Sequence, residues 1–324
     1  MITRRGILSS ASALAATGLL GRVSRAATYP DRPIKLVVPY PPGGPIDTTA
    51  RIVAQQITLR VGQVVVENRP GGGATLGAKS VAAAEPDGYT LLFGSSGSLC
   101  VAPALYSNAD YDPIKSFAPV ARVALLPHVF VVAPAVPATT PAEFVAYAKA
   151  NPGKLNYGAA LGTPPHLLGT LFRAKAGIDI VYVPYKGSAQ SVTDLLGGQT
   201  QMTIDGLTGL YPLIQDHKVR ALAMASTTRW PALPDVPTLI ESGYPDFNLD
   251  AWTGVVAPAG TPPEIVARIN AAINDGLESS EAKQSLVKIS ALAKPGTPAD
   301  FAAFLAAELP KWAATVKIAG AKVD

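Results

Sequence analysis

Fourteen residues, Ile34-Lys35-Leu36-Val37-Val38-Pro39-Tyr40-Pro41-Pro42-Gly43-Gly44-Pro45-Ile46-Asp47, join an apolar run to a bare, proline-stiffened loop and then to a helix start. The chemistry open to such a segment is anion binding. Gly43 and Gly44 leave the main chain accessible, and Pro45 suits the first turn of a helix running to about Leu59, whose unpaired N–H groups favour a carboxylate or phosphate. The same residues also satisfy a plain strand-to-helix turn. Three other helix starts, Thr140-Pro141-Ala142-Glu143, Thr261-Pro262-Pro263-Glu264 and Thr297-Pro298-Ala299-Asp300, combine a threonine cap, a proline and an acid that neutralises the dipole. In Thr163-Pro164-Pro165-His166 a histidine replaces the acid, leaving that helix start positive. It either receives an anion or is capped and packed by His166.

Other chemistries find less support. Gly94-Ser95-Ser96-Gly97-Ser98 lacks the final glycine that a nucleophile elbow needs for its strained turn. His128, His166 and His217 have no helical metal-ligand spacing, so no metal site is expected. Gly71-Gly72-Gly73-Ala74-Thr75-Leu76-Gly77 places its last glycine one position late for a dinucleotide fingerprint and reads as a turn and close-packing device. No cofactor is expected. Asp47 and Asp205 could meet across a cleft as an acid–base pair, although a cap for Asp47 and a polar ligand or water contact for Asp205 are simpler roles.

The elements that must position these residues repeat one grammar. Strands at 34–38, 64–66 and 89–93 alternate with helices at 45–59 and 74–84, a βαβαβ unit. The grammar restarts with strands at 128–133, 155–158, 180–183, 201–204 and 219–225 and helices at 141–150, 164–176, 188–196 and 207–215. After an irregular stretch, 226–246, a strand at 249–257 precedes three helices beginning near Pro262, Glu281 and Pro298. Two α/β units with a returning C-terminal part predict two lobes and a cleft beyond their strand ends.

The first residues, Thr3-Arg4-Arg5-Gly6-Ile7-Leu8, an uncharged run to Gly21 and Ser24-Arg25-Ala26, fit an export signal over residues 1–26, with the paired arginines pointing to the twin-arginine route. Removing Arg4, Arg5, Arg22 and Arg25 with that segment leaves 23 basic against 23 acidic residues. The basic isoelectric point therefore does not imply a nucleic-acid partner. Cys100 is the only cysteine, which rules out an internal disulfide, and no stretch reaches the roughly 18 uninterrupted apolar residues of a membrane span. A protein soluble in the bacterial periplasm is expected, where soluble nicotinamide cofactor is scarce.

Tyr29-Pro30-Asp31-Arg32-Pro33-Ile34, Val37 to Gly44 and Asp47-Thr48-Thr49-Ala50-Arg51 closely resemble the opening of the Bug family, extracytoplasmic solute-binding proteins of tripartite tricarboxylate transporters. The resemblance continues through Glu67-Asn68-Arg69-Pro70-Gly71, Pro86-Asp87-Gly88-Tyr89, Val183-Pro184-Tyr185-Lys186-Gly187, Leu233-Pro234-Asp235-Val236-Pro237 and Ala257-Pro258-Ala259-Gly260-Thr261-Pro262. It implies an α/β, two-lobed clamshell like other periplasmic binding proteins, each lobe a mostly parallel sheet flanked by helices. Residues 27–128 with 250–324 would form lobe one and 129–249 lobe two.

By position, the resemblance assigns ligand binding to Tyr40, Pro41, Gly43, Gly44, Asp47, Ser95, Ser96 and Gly97 from one lobe, and to Ala160, Leu161, Thr163, His166 and Asp205 from the other. None of these loops contains lysine or arginine, so aligned N–H groups and hydroxyls would meet the charge. The function implied is capture of a small carboxylate by a monomer, without catalysis, for delivery to integral-membrane permease subunits. Presentation to a sensor protein is a second reading, and a periplasmic hydrolase using Asp47 or Asp205 a third.

Overall fold

The computed structural model describes residues 29–320, so the expected export segment lies outside the described residues. From Arg32 onward the chain forms one compact unit. Its first βαβαβ run is β1 (Ile34–Val38), α1 (Pro45–Arg60), β2 (Val64–Asn68), α2 (Thr75–Ala82) and β3 (Thr90–Ser95). Ile34, Leu36, Val37 and Val38 are all buried, as a strand covered on both faces requires. A π-helical turn, Gly97–Val101, leads into α3 (Ala102–Leu105) and then β4 (Phe117–Leu126).

Pro127 alone separates β4 from β5 (His128–Val132), which opens the second run. There follow α4 (Pro141–Ala150), β6 (Asn156–Ala160), α5 (Pro164–Ala176), β7 (Val181–Tyr185), α6 (Ser188–Leu196), β8 (Met202–Gly206), α7 (Leu207–Gln215) and β9 (Arg220–Met224). The chain returns through β10 (Ala251–Pro258) and closes with α8 (Pro263–Leu277), α9 (Ser280–Lys288), β11 (Leu292–Ala293) and α10 (Pro298–Ala319). One lobe is built on the sheet β11-β4-β10-β3-β1-β2, the other on β7-β6-β8-β5-β9.

Both sheets are mixed, where the sequence reading expects mostly parallel ones. β1 runs parallel to β2 and β3, and β6 parallel to β7 and β8. β10 is antiparallel to both β3 and β4, and β5 to β8 and β9. The parallel pairs belong to βαβ units, whereas β4, β5 and β10 pass between lobes and are free of the crossover that keeps such strands parallel. β4 is absent from the sequence reading. Its Pro119 falls at a register shift opposite Val256, a bulge that breaks the alternation a strand ordinarily shows.

The helix starts keep three of their four expected forms. Thr140 accepts from the Glu143 N–H at 3.2 Å, and Thr297 and Asp300 form a reciprocal capping box. Thr163 caps α5 without a side-chain bond to its N–H groups. Thr261 is the exception: α8 begins at Pro263, and the Thr261 hydroxyl instead donates to the Pro258 carbonyl at 2.8 Å.

The two crossings run side by side. Ala251 pairs with Leu126 at the point where both chains leave the first sheet, and Leu207 N–H at the start of α7 donates to Pro127 O at 2.9 Å. α10 packs on β4 in one lobe and α5 in the other, with Leu305 and Trp312 fully buried. Asp250 fixes the return, accepting from Thr227 N–H at 3.1 Å and from the Thr227 hydroxyl at 2.6 Å. Replacing Asp250 by alanine removes the acceptor of both bonds, but Thr227 is exposed and its donors can turn to water, so the change is expected to cost about 1 kcal/mol. The shift of the urea midpoint, at unchanged slope, checks it.

Candidate ligand-binding cleft

Four helix first turns face one cavity of about 590 Å³ between the lobes. Pro45 and Ile46 of α1 line it, as do Thr163, Pro164 and Pro165 at α5, Gly187 and Ser188 at α6, and Thr208, Gly209 and Leu210 of α7. The first N–H groups of a helix have no partner within it; Pro45, Pro164 and Pro165 carry no N–H, so α5 presents chiefly the positive end of its dipole to this space, while Ile46 of α1, Ser188 of α6 and Thr208 of α7 can add main-chain donors. α5, α6 and α7 carry no acid in the first turn. α1 does carry one, Asp47, and its carboxylate is engaged elsewhere.

Asp47 Oδ2 accepts from Gly43 N–H at 2.9 Å and from Arg51 Nε at 2.9 Å, while Oδ1 accepts from Asn68 Nδ2 at 2.8 Å. Burial alone would raise its pKa. Arg51, the Gly43 N–H and Asn68 outweigh burial and hold the carboxyl below its ordinary 3.8. Asp47 thereby locks the Gly43-Gly44 loop onto α1 and β2.

Tyr40 is held by its hydroxyl, 2.7 Å from Ser95 Oγ. Burial raises the phenol's pKa against the opposing pull of Ser95 and Ser98, so it stays protonated. Gly97 is required beside it, because a Cβ there would come within 2.6 Å of the Tyr40 oxygen. Tyr40 is thus a fixed wall. Across the cleft, Gly162 has a φ of 73°, and a Cβ on it would meet Leu105 Cδ2 at 2.7 Å, so the β6–α5 loop touches the lobe opposite. On another side, the Thr208 hydroxyl donates to Ile289 O at 2.6 Å, which also joins the lobes.

Of the residues assigned by resemblance, Tyr40, Ser95, Ser96, Gly97, Ala160, Thr163 and Asp205 line this cavity. Pro41 and Leu161 line a smaller neighbouring one of about 300 Å³, which shares Tyr40, Gly97 and Thr163. Gly43, Gly44, Asp47 and His166 line neither. His166 is buried, stacked 4.4 Å from the Tyr182 ring, with Nδ1 accepting from Gly162 N–H at 3.4 Å. Burial and then the charge of Arg173 lower its pKa, so the ring is neutral and serves the loop rather than the cleft.

Several lining residues escape the sequence reading. Lys186 and Gly187 precede a helix start without an acid, the same signal that marks Thr163-Pro164, and Lys186 adds an exposed cation to the lining. His128 and Trp252 line the cavity at the two crossings, where only tertiary structure brings them together. Burial pushes the His128 imidazole down to about 4, opposed by the Leu126 carbonyl. Burial raises the Asp205 carboxyl, which the Ser188 hydroxyl and the Gly206 N–H partly offset. The cavity can therefore receive a small anion on dipoles and hydroxyls, with Lys186 and Asp205 as its ionisable side chains besides His128 and Tyr40. Among the described residues, no three His, Cys, Asp or Glu side chains gather as a metal site.

Comparison with known proteins points the same way. Residues 49–320 match the model of the tripartite tricarboxylate transporter family receptor. Protein BugT of Bordetella pertussis is 38% identical over 313 residues, covering 96% of this chain and 96% of that protein. The structure of Rpa4515 from R. palustris with adipate superposes with a TM-score of 0.80 at 36% identity, covering 91% of this chain and 100% of that one. MatC (Rpa3494) from Rhodopseudomonas palustris with bound malate gives 0.76 at 34% identity, covering 89% and 100%.

The Asp47 cluster has a measurable signature. Because its pKa is depressed in the folded state, its contribution is present above the ordinary carboxyl range and is lost as pH falls through the lowered value, below about 4. Asp47→Asn is expected to cost about 1–3 kcal/mol at neutral pH and to flatten the fall of melting temperature on acidification between about pH 5 and 3. Thermal melts of both proteins across that window check it.

Proposed function

The chain belongs to the tripartite tricarboxylate transporter receptor family, a family of solute-binding receptors, and from that premise we propose that it captures a small carboxylate-bearing solute between its lobes in the periplasm and delivers it to membrane permease subunits. The observation that carries this reading is the convergence of four helix first turns from both lobes on one cavity. Three of them lack the acid that would neutralise their dipoles. Relatives crystallised with adipate and malate supply the ligand class.

Residues 27–128 with 250–324 would move as one body and 129–249 as the other, with the paired crossings at Leu126-Pro127-His128 and Ala251 as the pivot. A ligand touching both bodies favours the closed arrangement by its contacts to each. The protein acts as a monomer, is exported by the segment over residues 1–26, and among its described residues has no helix long and apolar enough to cross a membrane. Hydrolysis at Asp47 is disfavoured, since that carboxylate is engaged by Arg51, Asn68 and Gly43 away from the cavity. Presentation to a sensor would use the same closed form; finding a permease gene beside this one would favour transport.

A thermal-shift screen over dicarboxylates, hydroxy acids, amino acids and aromatic carboxylates tests the reading. A ligand present at about 100 times its dissociation constant stabilises by about 2.7 kcal/mol. At least one small carboxylate is expected to raise the melting temperature and to be recovered unchanged after incubation. No shift with any carboxylate, or turnover of a carboxylate ester or amide, overturns it.

A further inference from the structure

The smaller cavity, of about 300 Å³, shares four lining residues with the cleft, Tyr40 and Gly97 from the first lobe and Thr163 and Pro164 from the second. Its other walls also come from both lobes. The turn before α2 and Tyr106 after α3 stand on one side, Leu161 and Gly162 of the β6–α5 loop on the other. The Tyr106 oxygen lies 4.0 Å from where a Cβ on Gly162 would stand.

Its chemistry differs from that of the cleft. No Asp, Glu, Lys, Arg or His is among the described residues lining it, whereas the cleft has His128, Lys186 and Asp205. Pro39, Pro41, Pro70 and Pro164 have no N–H to offer. Main-chain donors beside them are spent within the protein: Ala74 N–H on Gly71 O at 3.0 Å, Gly162 N–H on His166 Nδ1 at 3.4 Å and Thr163 N–H on Ala160 O at 3.3 Å. The Tyr40 and Thr163 hydroxyls are likewise engaged, with Ser95 Oγ at 2.7 Å and Ala160 O at 2.6 Å. A charged group entering here exchanges water for walls with little to replace it, which is costly. Apolar surface gains by the same move.

Two features give the cavity apolar surface. Leu161, large and apolar, is 47% exposed. The half-buried Tyr106 ring lies against the glycine run before α2, where a Cβ on Gly73, whose φ is 62°, would overlap it. The run Gly71-Gly72-Gly73 thereby admits a flat aromatic wall.

Resting on the carboxylate-binding reading above, we propose that the two cavities form one bipartite site, in which the second takes the apolar alkyl or aryl tail of a monocarboxylate whose charged end lies in the cleft. The four shared residues are the junction across which such a ligand lies. The ligand class is then an amphipathic acid, charged at one end only. A dicarboxylate long enough to cross the junction sets its second charge among prolines, Leu161 and spent donors.

Isothermal titration of the full mature chain with butanoate, octanoate and octanedioate at pH 8 tests the proposal. Each methylene that is fully buried is worth about fourfold in affinity. Octanoate is expected to bind at least about tenfold more tightly than butanoate, with a more negative heat-capacity change. It is also expected to bind more tightly than octanedioate, which has the same chain with a charge at each end. Leu161→Asn nearly keeps the side chain's size and makes it polar at an exposed position where folding is not at stake. It is expected to cut the octanoate-to-butanoate ratio at least about threefold. A ratio that Leu161→Asn leaves unchanged puts the tail in the cleft itself and overturns the proposal. So does equal affinity for octanoate and butanoate, or tighter binding of octanedioate. Binding of none of the three acids overturns the carboxylate reading and the proposal with it, whereas binding without a tail preference overturns only the role of the second cavity.

Discussion

The antiparallel pairing of β4 with β10 is the constraint on which the cleft depends. It extends to Leu126 opposite Ala251, so the outgoing and returning chains leave the first lobe together at one end of one ladder. The second sheet begins two residues later, at His128, with Pro127 alone between, which leaves it little freedom of position relative to the first. The α7 start is hydrogen-bonded to Pro127 between them, and α10 lies across β4 and α5. Helix starts from separate lobes can face a common space because both lobes are hung from these crossings.

On the proposed reading, anion recognition would rely on dipoles more than on fixed charge. A salt bridge with a buried ligand must offset the desolvation of two ions, and once the ligand leaves, its protein partner remains as an unpaired charge in the cleft. Aligned N–H groups are already oriented and desolvated by the fold, so they add affinity without an ionic partner left unpaired when the ligand departs. The one acid in a lining helix's first turn, Asp47, is tied to Arg51, Asn68 and the Gly43 N–H and serves as part of the scaffold. Local strand–loop–helix geometry is thereby stiffened on the first lobe, while the glycine at 162 lets the second lobe's loop approach Leu105.

Much of this was legible in the chain itself. The βαβαβ grammar, the helix at 188–196 and the acid-free start at Pro164 follow from local periodicity and capping, and all are present. Tyr40, Ser95, Ser96, Gly97, Thr163 and Asp205, carried over from the family resemblance, do meet in one cavity. β4 was not legible because Pro119 and its bulge mask the alternation, and the sheets' mixed sense was not because strand direction after a lobe crossing leaves no local trace. His128 and Trp252 were invisible for a related reason: they are 124 residues apart in sequence and join only through the β4–β10 ladder. Lys186 could have been found, since Gly187 and Ser188 repeat the acid-free helix start one unit later.

The central claim, that a carboxylate is held between the lobes by helix first turns, is tested most directly by a crystal structure with an acid that stabilises the protein. The expected result is carboxylate oxygens within about 2.7–3.2 Å of main-chain N–H groups or hydroxyls from both lobes, at Ser96-Gly97 and at the starts of α5 or α6. A carboxylate held by the Lys186 ammonium alone, by one lobe only, or outside the cleft would contradict it.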